Sequence, residues 1–492
     1  MQVLTRVLAE NVQQYGEYPF LYDQERVISN RQAFQEAERI RDLLVDSGVH
    51  GGDRVMVTMP NRAEVLSAYQ GALMAGAIVV PVMHVLEEPE IRHILADSQP
   101  RAVFLDRHTA AKVETAARYV PDAPELICVD AGVRALPSLA QALQGTSSGH
   151  RTARVAENDV AVILYTSGTT GKPKGVMLTH KNLYSNARQV AEDNPSDRSV
   201  TLGVLPLAHV YGFTVTTINA MLGGSIVLFP RFEADKVFQA IERYRVKMFS
   251  TVPAMIYAMV YSPSRSHYDL SSLEYVSSGS APCSVALIEA FQSAFHADVL
   301  EGYGLSEAAP VVSGHRRGMP VKPGTVGVPV SGVDVRIVGG DGQDLPPGEI
   351  GELWIRGDNV TPGYYRNPDA TREVLHGGGW LATGDMASID PDGYLSIVER
   401  KKDIIIRGVF NIYPRDVEDI LLRHPDVAEA AVVGMASDRM GEEGVAYVVA
   451  KPGTRARPEE ILEHASRFLA RYKLPRHIVV VDTLPKNGVA RS

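Results

Sequence analysis

Residues 165–180 read YTSGTTGKPKGVMLTH. Thr166, Ser167, Gly168, Thr169, Thr170, Gly171, Lys172, Pro173, Lys174 and Gly175 stand in unbroken succession there. Small residues let backbone N–H groups come close to an anion, hydroxyls add donors, and lysines add positive charge. That chemistry suits a polyphosphate. The apolar, β-branched run Val160–Tyr165 places the loop at the end of a strand. The spacing is not that of a P-loop, which needs four residues between its glycines and then Lys-Ser/Thr. Here two residues separate Gly168 from Gly171, and Pro173 follows Lys172. A polar surface turn is the plain alternative for any one of these residues, but their combination favours a phosphate cradle.

A second segment, Glu301-Gly302-Tyr303-Gly304-Leu305-Ser306-Glu307, follows an expected strand at Asp298–Leu300. An aromatic ring beside glycines can stack on a purine, and a carboxylate can hold Mg²⁺ next to phosphates. The segment nearly spells a nucleophile elbow, but Ala308 stands where that motif needs its last Gly. The first segment resembles the phosphate loop of the acyl-adenylate-forming superfamily: acyl-CoA synthetases, peptide-synthetase adenylation domains and beetle luciferases. The second resembles that family's adenine and magnesium motif, and the resemblance runs over nearly the whole chain.

The resemblance implies roles residue by residue. Lys174 meets the polyphosphate, Tyr303 stacks on adenine, Ser306 touches the phosphate, and Glu307 binds Mg²⁺ with Thr166 beside it. Ser278-Gly279-Ser280-Ala281-Pro282 resembles the adenine-edge loop. Asp385, in Trp380-Leu381-Ala382-Thr383-Gly384-Asp385, takes hydrogen bonds from both ribose hydroxyls; a carboxylate is a natural acceptor for a diol. Ile397, Arg400, Glu301 and Gly302 complete the expected nucleotide site. His209 is the expected gate of an acyl pocket formed with Tyr211, Gly212, Val252, Gly279 and Gly304. His180 is read as structural. Gly408, Val409 and Phe410 resemble the loop that lies along the pantetheine of CoA, and Lys402 falls at the family's hinge. Gly348–Leu353 resembles a conserved turn and strand.

One departure stands out. The family's Pro-Lys-x-x-x-Gly-Lys ending, whose lysine bridges carboxylate and phosphate, reads here Pro485-Lys486-Asn487-Gly488-Val489-Ala490-Arg491. Arg491 replaces that lysine, and a planar guanidinium is not an equivalent point charge. The first expectation is a natural C-terminus beyond Ser492 that carries the lysine; an insertion that shifts the lysine past Ser492 and divergence of the enzyme at this position are the alternatives.

These residues need elements to position them. From about residue 30 to 330, helical patterns alternate with the β-branched runs Ala77–Val82, Ala102–Leu105, Val160–Tyr165, Ser225–Phe229 and Tyr275–Ser278, the signature of layered α/β structure with largely parallel sheets. From about 325 to 400, turn signals such as Gly339-Gly340-Asp341-Gly342 crowd between short strands and predict a β-rich subdomain. Beyond Lys402 the pattern predicts a small α+β unit. It has strands at Ile404–Ile406, Ala428–Val433, Gly444–Ala450 and Ile478–Val481, with helices at Pro414–Leu422 and Pro458–Ala470. The expected organisation is an α/β fold: an N-terminal adenylation domain over 1–401 and a mobile C-terminal domain over 402–492.

Composition bounds the remaining possibilities. At 492 residues the chain exceeds one core. Hydrophobic residues make up 45% and charged residues 22%, ordinary for a soluble enzyme, and the net charge of −9 argues against a nucleic-acid binder. Two cysteines, Cys128 and Cys283, make neither a disulfide framework nor a zinc site, which fits a reducing cytoplasm. The N-terminus lacks an apolar signal-peptide core, and the apolar stretch Tyr69–Leu86 is interrupted by Gly71, Gly76 and Pro81, as expected for a helix and a strand rather than a membrane span.

The expected activity is ATP-dependent ligation of a carboxylic acid to CoA. Acetate-specific relatives place Trp where this chain has Gly304, and amino-acid-activating relatives place Asp near His209. Neither is present, and Val210, Tyr211 and Phe213 favour an apolar acyl group. A medium- or long-chain fatty acid is the first expectation and an aryl acid the second. Loading of a carrier-protein phosphopantetheine is the alternative enzyme reading. A degenerate nucleotide-binding regulatory protein is the alternative of another class.

Overall fold

The computed structural model describes residues 2–166, 173–194, 198–401, 403–407, 410–437 and 441–485. A seven-stranded sheet runs in the order Gly363–Tyr364, Lys174–Thr179, Val160–Thr166, Ile78–Pro81, Arg54–Thr58, Ala102–Leu105, Glu125–Cys128. Its last five strands are parallel, and the first two return antiparallel. The parallel strands are near-continuous apolar runs because helices cover both faces. Val55, Val79, Val103 and Phe104 are all fully buried.

A second sheet places Met248–Thr251, Tyr275–Ser278 and Asp298–Gly304 in parallel, then Val311–Gly314 and Val328–Pro329 antiparallel. The expected strand Asp298–Leu300 therefore continues through Tyr303 to Gly304. Ladder pairing of Tyr303 with Ser313 extends it past the glycines that read as a loop in sequence. A third, four-stranded sheet joins Arg26–Ser29, Pro19–Asp23, Ser225–Leu228 and Val200–Gly203. Turn-rich residues 333–400 form an antiparallel sheet whose longest strand, Trp380–Ile389, pairs with Gly351–Gly357, Leu375–His376 and Leu395–Arg400.

Residues 405–481 enclose their own hydrophobic cluster, including Ile405, Val417, Leu421, Val448 and Ile461. Their sheet adds a strand the sequence pattern did not signal, Phe410–Ile412. The Pro458 helix ends at Ser466, short of the expected Ala470. Cys128 and Cys283 are buried free thiols. No helix among the described residues is long and apolar enough to cross a membrane. His180 is structural as expected: its Nδ1 accepts the Leu4 N–H at 3.3 Å, and burial lowers its pKa to about 4.

The element that shapes the site most is the helix Val210–Leu222. Its sequence, VYGFTVTTINAML, is rich in β-branched residues and weak in helix propensity. Tertiary packing holds it: Phe213 and Ala220 belong to a buried apolar cluster, and the Thr216 and Thr217 hydroxyls return to the Phe213 carbonyl. His209 caps its N-terminus, and Gly223, at φ 70°, ends it in the left-handed region that glycine tolerates.

Candidate functional site

Two antiparallel strands position Thr166 and Lys174 at one end of the site. Val160–Thr166 and Lys174–Thr179 pair antiparallel, with Thr166 directly opposite Lys174. Thr166 and Lys174 thus stand side by side at the ends of paired strands. Ser167, Gly168, Thr169 and Thr170 lie outside the described residues. Beside Lys174 lies Tyr364, on a strand paired with Val176 and Met177. The Lys174 Nζ stands 5.5 Å from the Tyr364 ring centroid, within cation–π range. The Tyr364 hydroxyl donates to Glu307 Oε1 at 2.9 Å, and the Thr361 N–H donates to the Glu307 carbonyl at 2.8 Å. Burial, and then the Glu307 charge, push the Tyr364 phenol up, so it remains a donor. Motif reading reached Lys174 and Glu307 but missed Tyr364, which lies 57 positions from Glu307 and joins it only through the fold.

The expected ribose residue is engaged by protein groups. Asp385 and Arg400 face each other across paired strands, with Arg400 Nε 3.2 Å from Asp385 Oδ1. The Tyr303 hydroxyl donates to Asp385 Oδ2, and burial followed by the Asp385 charge raises the Tyr303 pKa. Asp385 is itself only 5% exposed. Tyr303, Thr383, Gly384 and Arg400 form the nearby cavity wall, and Asp385 stands behind them. Glu301 lines the cavity too; it accepts the Cys283 N–H at 3.2 Å, and burial pushes it up to about 7.

One continuous cavity of about 1030 Å³ joins these groups. Thr166, Lys174, His209, Tyr211, Gly279, Ser280, Gly302, Gly304, Ser306 and Glu307 all line it. Several expected lining residues do not. Gly212 is packed against Pro206, whose carbonyl oxygen would stand 2.2 Å from an added Cβ; this glycine permits close approach and forms no acyl wall. Val252 is 6% exposed and belongs to a hydrophobic core beneath the second sheet. Ala281 and Pro282 follow Ser280, which has a φ of 68°, and do not line the cavity. The Ile397 carbonyl accepts Arg415 Nη1 at 2.6 Å, outside the cavity. Gly304 does line the cavity, but an added Cβ there would meet the Pro310 oxygen at 2.2 Å. Backbone approach accounts for this glycine, so it cannot act as a simple size filter.

From the end at Thr166 and Lys174 the cavity follows the Val210–Leu222 helix. Tyr211, Thr214, Val215, Ile218 and Leu222 face it at helical spacing, while Phe213 and Ala220 face the core. At 1.5 Å per residue, His209 and Leu222 stand roughly 20 Å apart along this wall. His209 Nδ1 accepts the Tyr211 N–H at 3.2 Å, which fixes a neutral ring with its proton on Nε2. Gly279 tolerates a methyl: an added Cβ would meet the Tyr211 ring at 3.4 Å, an ordinary contact.

Lys402, Gly408, Val409 and Arg491 lie outside the described residues, as do the side chain of Phe410 and the expected lysine-bearing tail. Among the described residues, no group of three or more His, Cys, Asp or Glu is arranged to hold a metal unaided.

Comparison with known proteins agrees with this geometry. The profile of the family described as "AMP-binding enzyme" matches residues 8–365, and that described as "AMP-binding enzyme C-terminal domain" matches residues 416–491. A long-chain-fatty-acid–CoA ligase of Bacillus subtilis (strain 168) is 34% identical over 487 residues, covering 93% of this chain and 87% of the relative. A feruloyl-CoA synthase of an Amycolatopsis species is 38% identical over 453 residues, covering 92% and 89%. The crystal structure of the anthranilate CoA ligase AuaEII in complex with anthranoyl-AMP superimposes with a TM-score of 0.93 at 28% identity, covering 99% of this chain and 95% of that one. With both family profiles matched in order along the chain, it belongs to the AMP-binding enzymes of the acyl-adenylate-forming superfamily.

Proposed function

We propose that this AMP-forming acid–thiol ligase, which uses ATP, Mg²⁺ and CoA, activates a medium- or long-chain fatty acid. The observation that carries the choice of acid is the apolar wall of Tyr211, Val215, Ile218 and Leu222, continuous with Thr166, Lys174 and Glu307. An elongated acyl chain would lie along the helix with its carboxylate at the Lys174 end.

In the first half-reaction a carboxylate oxygen attacks the α-phosphorus of ATP. An acyl–O–P bond forms, the α–β bridging P–O bond breaks, and pyrophosphate leaves. The physical demand is to bring an anion to a polyanion. Lys174 offsets charge from a strand end that needs no reorganisation, and Thr166 offers a hydroxyl opposite it. Glu307 suits Mg²⁺: it is a carboxylate in the cavity wall with one oxygen held by Tyr364, and Mg²⁺ takes one or two carboxylates alongside substrate phosphates. When bound, Mg²⁺ neutralises phosphate charge and orients the leaving group. Tyr303 and the Asp385–Arg400 pair receive the adenosine, and the neutral His209 ring closes the acyl end without adding charge.

In the second half-reaction the CoA sulfur attacks the acyl carbon, forming the thioester and releasing AMP. We assign residues 402–492 to a domain that turns about Lys402 between the two steps and brings the loop of Gly408, Val409 and Phe410 to the pantetheine. The separate apolar cluster of residues 405–481 supports a unit able to move as a body.

A screen of carboxylic acids for AMP release, with free CoA or a phosphopantetheinyl carrier protein as acceptor, tests the reading. Turnover is expected with C8–C16 acids and free CoA. Turnover confined to aryl acids would overturn the choice of acid, and turnover confined to the carrier protein would overturn the choice of acceptor.

A further inference from the structure

Among the described residues, Thr166 and Lys174 form the terminal pair of their ladder. Pro173, just before Lys174, has no N–H with which to extend it. A terminal pair frays unless something outside the ladder holds it. One helix, Glu88–Ser98, touches the chain on both sides of this pair. Its Ile91, Ile94 and Leu95 are buried in one apolar cluster with Val103 and Ile163, which seats the helix against the sheet. Its His93 and Asp97 lie four positions apart and so share a face.

Asp97 Oδ2 accepts the Tyr165 hydroxyl, and His93 Nε2 stands 3.2 Å from the Pro173 carbonyl oxygen. A carbonyl has no proton to give, so Nε2 carries it. The His93 ring also meets the Tyr165 ring edge to face, with 6.5 Å between centroids and 86° between planes. Tyr165 adjoins Thr166 and Pro173 adjoins Lys174, so each residue held by the helix is next to one at the phosphate end of the site. Burial, and then the Asp97 carboxylate, push the Tyr165 phenol up, so it stays a donor. The end of the helix is tied to a third segment. Arg366 Nη1 donates to the Asp97 carbonyl at 3.0 Å and Nη2 to Gln99 Oε1 at 2.9 Å, while the neighbouring Tyr365 N–H donates to the Gly175 carbonyl at 2.7 Å. Tyr165, Thr166 and Lys174 line the cavity; His93 and Asp97 are not among its described lining residues and reach it only through their partners.

We infer that His93 and Asp97 are positioning residues of the adenylation step, which hold Pro173 and Tyr165 so that Lys174 and Thr166 meet the ATP phosphates. This rests on the proposed phosphate role of Lys174 and Thr166 and adds the residues that set their place. His93 governs Lys174 through the Pro173 carbonyl, and Asp97 governs Thr166 through the Tyr165 hydroxyl. Apolar packing seats the helix without these two side chains, so their loss is felt in the chemistry before it is felt in the fold. Thioester formation from a preformed acyl-AMP makes no use of the pyrophosphate end and does not depend on them.

The test measures ATP–pyrophosphate exchange and, separately, thioester formation from synthetic acyl-AMP and CoA. His93→Phe keeps a ring against Tyr165 and removes the N–H donor; His93→Gln returns a donor without the ring. His93→Phe is expected to lower kcat for exchange about tenfold, the scale of one lost positioning hydrogen bond. KM for ATP and the rate from acyl-AMP should stay within about twofold of wild type, as for an interaction used only in the first transition state. His93→Gln should recover most of the loss. In a Lys174→Ala background the His93→Phe effect should shrink to less than about twofold, because the group it positions is gone. Asp97→Leu and Tyr165→Phe should each slow exchange, and the double variant should be no slower than the worse of the two. Exchange at the wild-type rate in His93→Phe, equal slowing of both half-reactions, or a loss undiminished in the Lys174→Ala background would overturn the inference while leaving the phosphate-site reading intact. Additive losses in the Asp97 and Tyr165 pair would overturn the role of Asp97. Exchange at the wild-type rate in Lys174→Ala itself would remove the phosphate-site reading and the inference together.

Discussion

The Tyr303 hydroxyl donates to the Asp385 carboxylate, 82 positions away in the chain, and Arg400 meets the same carboxylate at 3.2 Å. The proposed ribose acceptor is thus held in place by two groups from different strands, one of which also carries the ring expected to stack on adenine. Asp385→Ala should weaken AMP and ATP binding by about 1.5–3 kcal/mol, the range for hydrogen bonds to a charged group. Tyr303→Phe keeps the ring and should weaken binding less. Titration calorimetry reads both, with circular dichroism to confirm the fold. An unchanged nucleotide affinity in Asp385→Ala would remove Asp385 from the site.

Lys174 and Glu307 are linked through Tyr364. Lys174→Ala should slow acyl-adenylate formation by about 2–4 kcal/mol of lost charge stabilisation. Tyr364→Phe leaves the ring beneath Lys174 but frees Glu307 Oε1. It should raise the Mg²⁺ concentration needed for half-maximal pyrophosphate exchange, with a smaller effect at saturating Mg²⁺. A Mg²⁺ titration that matches wild type would show that Tyr364 does not position Glu307.

Gly212 and Gly304 owe their identity to carbonyl oxygens 2.2 Å from where a Cβ would stand. Gly212→Ala and Gly304→Ala should each lower thermal stability, by about 1–3 kcal/mol as for overpacked core sites. Gly279→Ala, where an added Cβ meets only ordinary contacts, should instead alter acyl-chain preference with little loss of Tm. If Gly304→Ala melts like wild type while altering chain-length preference, the size-filter reading returns.

Glu301 and Glu418 are both pushed up to about 7 from 4.5, chiefly by burial. Below about pH 4.5 both folded and unfolded chains hold these protons. As pH rises towards 7 the unfolded chain ionises first, so each group's contribution falls with pH, by at most ~1.4 kcal/mol per unit. Above 7 the loss is complete. Glu418→Gln keeps an oxygen able to accept the Val432 N–H that Glu418 accepts at 2.7 Å. Its Tm relative to wild type should therefore rise between pH 5 and pH 8. A Tm difference independent of pH would show that Glu418 ionises normally in the fold.

Much of this was legible in sequence because chemistry and local pattern coincided. Thr166, Lys174, Tyr303 and Glu307 stand in short segments whose residue types serve one purpose, and the parallel strands read as apolar runs because both faces are buried. What was not legible depended on distant backbone. Gly212 and Gly304 resembled pocket residues, yet the carbonyls of Pro206 and Pro310 explain them. Val252 looked like a pocket wall but packs in the core. Tyr364 joined the site only through pairing of its strand with Val176 and Met177. The strand Asp298–Gly304 ran past its glycines because a neighbouring strand supplied the pairing.

The central claim is that a carboxylate oxygen attacks the α-phosphorus of ATP within this cavity and that AMP is then displaced by a thiol. Turnover of an acid labelled with ¹⁸O in both carboxylate oxygens, read by mass spectrometry of the products, tests it most directly. The account predicts one ¹⁸O in AMP, one in the thioester carbonyl and none in pyrophosphate. Unlabelled AMP, or label in pyrophosphate or inorganic phosphate, would contradict it.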